Sequence, residues 1–218
     1  MEFSAGDFIT YFQSVADLME KQKDYLCELD RKLGDGDHGV TMSIGWQAVL
    51  AQLDSTLGEE ADCGKLCIQV GKTFLNAVGS SVGPLYATAL MRGGKILKGK
   101  VAVNEEQLYE FWCAFCHGVK ERGQAEIGDK TMVDTLEPAR EALEESWQQE
   151  QNFQRAFEAA VAAGETGMQS TIALTSKLGR SSRLGERSAG TQDPGATSAF
   201  LLLSSFSAYL DTKIANAS

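Results

Sequence analysis

Proline and histidine are scarce in this chain of 218 residues, which holds three of the first and two of the second. Pro84, Pro138 and Pro194 are widely spaced, so little interrupts helix formation. Strand-like alternation is scarce too. No run of 18 apolar residues occurs, which argues against a membrane-spanning helix. The opening Met1-Glu2-Phe3-Ser4 lacks the basic-then-apolar order of a secretory signal. Lys and Arg form no cluster and the net charge is −10, so nucleic-acid backbones and anionic membranes are not expected partners. The five cysteines, an odd number, do not make the disulfide framework of a small secreted domain. A reducing cytoplasm is the simplest compartment. Cys113 and Cys116 have the C-x-x-C spacing of redox or zinc chemistry. They lie in a helical run without a second ligand pair, and read as structural thiols.

What is present is helical periodicity. Hydrophobic residues make up 43% of the chain, enough for a core and against disorder. Phe8, Phe12, Val15, Met19 and Leu26 form a first stripe. Val40, Ile44, Ala48 and Leu53 suggest a second helix, beyond His38. A third is expected over about 62–78, with Leu66, Val70 and Phe74 on one face, and a fourth over 83–97 with Pro84 in its first turn. Four more are expected over 105–122, 130–147, 153–178 and 193–214, with Pro138 kinking the sixth and Gly164 and Gly167 inside the seventh. Eight such helices with short connections imply an all-α fold of antiparallel neighbours in one domain, 1–218.

Polar residues gather in the loops before alternate helices: 30–39, 79–84, 123–131 and 179–195. In an up-and-down array such loops share one end of the molecule, so one convergent site is expected. The first loop crowds Asp30, Asp35 and Asp37 among Gly34, Gly36 and Gly39. Three close carboxylates repel one another unless a cation joins them. Mg²⁺ takes such oxygen ligands and shares them with phosphates, and a following helix start attracts phosphate. A helix-capping loop with surface acids is the plainer reading. The second loop, Gly79-Ser80-Ser81-Val82-Gly83-Pro84, offers hydroxyls and N–H groups to phosphate oxygens, or is a helix end and tight turn. The third, Gly123-Gln124-Ala125-Glu126-Ile127-Gly128-Asp129-Lys130-Thr131, nearly imitates a P-loop. Asp129 breaks that pattern and no strand precedes it, so a P-loop is rejected. There, Asp129 can cap the helix or Thr131 donate to a phosphate. The fourth carries Arg180, Arg183 and Arg187 among four glycines, guanidinium forks suited to phosphate. His38 can contact a phosphate or cap a helix, and His117 reads as packing or surface.

Taken together, Gly34-Asp35-Gly36-Asp37-His38-Gly39, Gly83-Pro84-Leu85-Tyr86, Gly128-Asp129-Lys130-Thr131-Met132, Gly179-Arg180-Ser181 and Gln192-Asp193-Pro194-Gly195-Ala196 resemble, in order, the nucleotide-binding L subunit of dihydroxyacetone kinase, the DhaL family. The resemblance implies an eight-helix antiparallel up-and-down barrel with the nucleotide site at one end. It implies two Mg²⁺ ions on Asp30, Asp35 and Asp37. It places ADP or ATP among His38, Gly39, Val40, Thr41, Ser80, Ser81, Val82, Gly123, Thr131, Met132, Arg180, Asp193, Pro194 and Gly195. Arg180 is the candidate for stabilising charge on the transferred phosphoryl group. The implied function is phosphoryl transfer to dihydroxyacetone or a related short ketose held covalently on a K-type partner subunit, without which this chain is expected to be inactive. A phosphotransferase-system protein is one candidate donor, and a homodimer is compatible with the resemblance. The alternative is a nucleotide-loaded regulatory module acting on a transcription factor. Val82 stands where the family usually has a hydroxyl, and Thr191 where bacterial relatives often have His.

Overall fold

In a computed structural model, which describes residues 1–217, the chain is predominantly helical, with almost no sheet. The helices are α1 (Ala5–Lys21), α2 (Lys23–Leu33), α3 (His38–Leu53), α4 (Cys63–Ala77), α5 (Val82–Ile96), α6 (Glu105–Gly123), α7 (Val133–Glu150), α8 (Phe153–Ser170) and α9 (Pro194–Ala217). A 3-10 segment, Arg180–Ser188, lies between α8 and α9. Two short strands, β1 (Phe3–Ser4) and β2 (Ala102–Val103), pair antiparallel with Phe3 opposite Val103. The strands are too short for alternation to announce them.

Local sequence explains the helix starts. Ser4 and Asp7 form a capping box at α1, and Asn104 and Gln107 form another at α6. At α4 the Asp62 side chain accepts from the N–H groups of Gly64 and Lys65.

The described residues form nine helices rather than the expected eight, because the run from Phe8 to Leu26 breaks at Gln22, the shared cap of α1 and α2. The seventh helix stops at Ser170 instead of 178. Residues 171–174 close tight turns back onto 168–171, and the Lys177 N–H is drawn away to Asp129 O at 3.1 Å. Pro138 is accommodated within α7. The stripe on α3 is also rotated from expectation. Val40 and Ile44 are exposed, while Met42, Trp46, Val49 and Leu53 are buried. Gly39 and Gly45 form part of that buried face, so the small residues, not the β-branched ones, set which side packs inward.

Neighbouring helices pack in chain order from α3 to α9, α9 packs back on α1, and α1 on α3. Inside, Tyr11, Trp112, Phe157 and Phe206 interlock, with the Phe206 ring centroid 4.9 Å from both Trp112 and Phe157 and 5.0 Å from Tyr11. Such pairs add about 0.5–1.5 kcal/mol each beyond area burial. The five cysteines are free thiols, four buried and Cys113 half-buried. Burial pushes Cys113 up to about 12, so it is not a reactive thiolate at neutral pH.

Helix α9 spans about 36 Å at 1.5 Å per residue. It therefore joins two separate regions: Phe206 and Tyr209 meet Phe3 beside the β pair, while Pro194 and Gly195 begin the helix at the polar loops.

Candidate functional site

The acidic turn follows from the end of α2. Asp30, in the last turn of that helix, accepts from the N–H groups of Asp37 (2.9 Å) and His38 (3.2 Å). One carboxylate thereby ties the end of α2 to the start of α3. Gly36 makes this reversal at φ +78°, a conformation that penalises a side chain. Asp35 and Asp37 are left half-exposed, and oxygens of Asp30, Asp35 and Asp37 lie within 4.8 Å of one another. Arg180 donates to Asp35 and comes within 3.5 Å of Asp37. Two of the three carboxylates thus share one guanidinium, and the third, Asp30, is held by backbone N–H groups.

Beside the turn opens a cleft of about 460 Å³. Its walls come from the α2–α3 turn, the loop before α5, the end of α6 with the loop into α7, residues 178–181 of the segment before α9, and the first residues of α9. Ser80 Oγ in this wall is buried yet lacks a hydrogen-bond partner among the described residues. An orphaned buried hydroxyl is costly unless a ligand uses it. Leu85, Val119, Met132 and Val133 supply an apolar side.

The loop into α7 is shaped from within. Asp134, rather than Asp129, holds its turn, accepting from the N–H groups of Gly128 (2.6 Å) and Thr131 (2.7 Å). Asp129 accepts from the Glu126 N–H at 2.8 Å and pairs with Lys177 at 3.1 Å. Thr131 Oγ1 accepts from the Val133 N–H at 3.1 Å.

At the opposite wall Asp193 caps α9, accepting from the Ala196 N–H at 2.8 Å. Burial pushes its carboxyl up to about 7, although the Ala196 N–H and the nearby Lys130 charge oppose that rise. His38 is buried with Nε2 3.0 Å from Ser198 Oγ, which lies 3.0 Å from the Tyr86 hydroxyl. Burial lowers the imidazole to about 4, so it is neutral at physiological pH and cross-links α3, α5 and α9.

The cleft brings together Asp30, Asp37, His38, Thr41, Ser80, Ser81, Val82, Gly123, Thr131, Met132, Arg180, Asp193, Pro194 and Gly195. Asp35 stands outside the wall but joins its rim through Arg180. Gly39 does not face the cleft; it packs on α2, where a Cβ would lie 1.9 Å from Lys23 O. Val40 is exposed on the outer side of α3. His117 is exposed on α6 beside Glu121, outside the cleft. Sequence reasoning missed the wall residues Leu85, Val119, Arg122 and Lys130. The apolar ones carry no signal, since an apolar helical residue reads as core. Lys130, like Leu85, stood inside a stretch that carries the family resemblance, but no role at the site was assigned to it.

A family model described as the DAK2 domain matches residues 32–208, from the end of α2 into α9. The chain belongs to the DAK2 domain family. This DAK2 domain is 36% identical over 203 residues to the "PEP-dependent dihydroxyacetone kinase, ADP-binding subunit DhaL" of Escherichia coli, covering 93% of this chain and 96% of that relative. It is 41% identical over 191 residues to the ADP-binding subunit DhaL of PEP-dependent dihydroxyacetone kinase 2 of Listeria innocua, covering 88% of each. In fold it is similar to the dihydroxyacetone kinase of C. freundii, solved in complex with AMP-PNP and Mg²⁺, with a TM-score of 0.69 and 24% identity over 92% of this chain and 33% of that longer one. The all-α fold of the DAK2 domain agrees with that likeness.

Proposed function

We propose that this chain is the ADP- or ATP-binding subunit of a kinase acting on dihydroxyacetone or a related short ketose. The observation that carries the reading is the set of three carboxylates, Asp30, Asp35 and Asp37, at the rim of a cleft whose wall holds an unpartnered Ser80 hydroxyl. The hard oxygen donors fit Mg²⁺. Asp30, Asp35 and Asp37 would hold two such ions, which neutralise phosphate charge when bound. Arg180 already lies against two of these acids, so its planar fork is positioned to meet phosphate oxygens at the same place. Ser80, Ser81 and Thr41 line the polar side, and Leu85, Val119, Met132 and Val133 offer a dry surface for a base. Catalysis of this kind needs positioning and charge stabilisation more than covalent chemistry.

The chain would work with a K-type subunit that holds the ketose. The one imidazole in the wall, His38, is buried and engaged by Ser198, which leaves it unsuited to capturing a carbonyl. The relatives' names call them ADP-binding subunits of PEP-dependent kinases, which favours a phosphotransferase-system protein as phosphoryl donor. Cytoplasmic residence fits this role, and no helix of the described residues is long and apolar enough to cross a membrane. Purified chain mixed with Mg-ATP and dihydroxyacetone should give no product. Adding a K-type subunit, with or without a phosphotransferase donor, should start turnover. Robust turnover by this chain alone would refute the subunit reading.

A further inference from the structure

The chain between α8 and α9 forms a closed strap. It leaves α8 at Thr171 and returns at Asp193, and its two ends are tied together. The Gly190 N–H donates to Ile172 O at 2.7 Å, and the Asp193 N–H to Thr171 Oγ1 at 3.0 Å. A third tie comes from outside the strap. Lys130 Nζ donates to Thr171 O at one end and to Thr191 O, 2.5 Å away, at the other. Within the strap the Ser176 N–H donates to Ser188 Oγ at 2.8 Å. Its tip carries Arg180 to the acidic turn.

Lys130 is unusual in three respects. It is only 1% exposed. Its backbone lies at φ +62°, a region that long side chains seldom occupy and that persists only where the surroundings impose it. Its hydrogen-bond acceptors are two backbone carbonyls, one of them just beyond the C-terminal end of α8, where the helix dipole favours a cation. Burial lowers the ammonium's affinity for its proton, while Asp193 and Asp134 support the charge. No general need of a surface loop explains such a buried cation. Its position between both ends of the strap does.

We propose that Lys130 is a positioning residue, a clasp that fixes the base of the 171–193 strap so that Arg180 reaches the carboxylates and the start of α9 keeps its place in the cleft. Its effect on nucleotide is indirect and rests on the reading that the cleft binds nucleotide. Its effect on the strap does not.

The strap contains Lys177, Arg180, Arg183 and Arg187, so trypsin reports its opening directly. In Lys130→Met, cleavage within 177–187 should run about tenfold faster than in the wild type, with helical circular dichroism retained and Mg-ADP bound about tenfold more weakly. Lys130→Arg keeps the charge and the donors and should return cleavage to within about threefold of wild type. A merely space-filling lysine would not show this rescue. Wild-type cleavage in Lys130→Met, or equal opening in Lys130→Met and Lys130→Arg, would overturn the proposal. If Lys130→Met fails to fold, Lys130→Gln, which keeps a donor without the charge, decides by the same assay: faster strap cleavage supports the clasp, and an unchanged rate overturns it. If the wild type itself does not bind Mg-ADP, the nucleotide reading falls while the tryptic comparison still judges the clasp.

Discussion

The two ends of α9 each meet an acid–base assembly, and the two are differently balanced. Towards the C-terminal end, Lys213 Nζ and the Tyr209 hydroxyl donate to Asp7 at 2.8 and 2.9 Å, while Ser4 donates to its other oxygen through N–H and hydroxyl. Burial alone would raise the Asp7 carboxyl, yet these partners hold it below its usual range. That acid is saturated, and the aromatic cluster of Phe3, Phe206 and Tyr209 lies beside it. At the N-terminal end, three carboxylates crowd together with one guanidinium, Arg180, against two of them, a serine hydroxyl has no partner among the described residues, and Asp193 is buried with its proton affinity raised. The first assembly closes the fold. The second leaves charge and hydrogen-bonding capacity unspent, which is what a site for a charged ligand requires.

Truncating the closed end should have the largest effect on stability. Phe206 is fully buried among Phe3, Tyr11, Trp112 and Phe157. Phe206→Ala should lower the unfolding free energy in urea by about 3–5 kcal/mol, while Mg-ADP affinity of the folded variant stays within about threefold of wild type. A large loss of affinity in well-folded protein would mean that the two ends are coupled.

At the open end, Asp193 gives a pH signature. The folded protein keeps its proton up to about 7, whereas an ordinary aspartate releases it near 3.8. The folded state therefore binds more protons than the unfolded one between those values. The burial cost of Asp193 grows as pH rises through this window and is full above it. Asp193→Asn retains an oxygen to accept from Ala196 without the charge. Its stability relative to wild type should improve by about 4 kcal/mol between pH 4 and pH 8. Parallel melting curves at both pH values would contradict this assignment.

The smallest effect is expected from Lys213→Met. It removes a pair with Asp7 but leaves the Ser4 and Tyr209 donors, so about 1 kcal/mol should be lost in denaturant titration. A loss as large as that of Phe206→Ala would show that the ion pair, and not the aromatic packing, secures the closed end.

The same contrast explains what could be read in the sequence. Helices with a clear 3.6-residue stripe were legible, as Leu66, Val70 and Phe74 on α4 are all buried. Helix α3 was misoriented because Gly39, Gly45 and Trp46 outweigh Val40 and Ile44 in choosing the packed face. The end of α8 was overrun because the pull of Asp129 on Lys177 crosses 48 residues. In the cleft the acids and glycines stood out because their chemistry is uncommon at such density. Leu85 and Val119 did not, since one apolar side chain looks like another until the cavity beside it is seen. Lys130 depends on carbonyls 41 and 61 residues away, which no local pattern records.

The measurement that bears most directly on the open end is calorimetric titration of ADP into wild-type protein and Asp35→Asn, each with Mg²⁺ and with EDTA. The wild type should bind in Mg²⁺, and either EDTA or the substitution should weaken binding by about a hundredfold, as expected when the cation that joins carboxylate to phosphate is lost. Equal ADP affinity in all four titrations would contradict the assignment of Asp30, Asp35 and Asp37 as the metal-bearing edge of a nucleotide site.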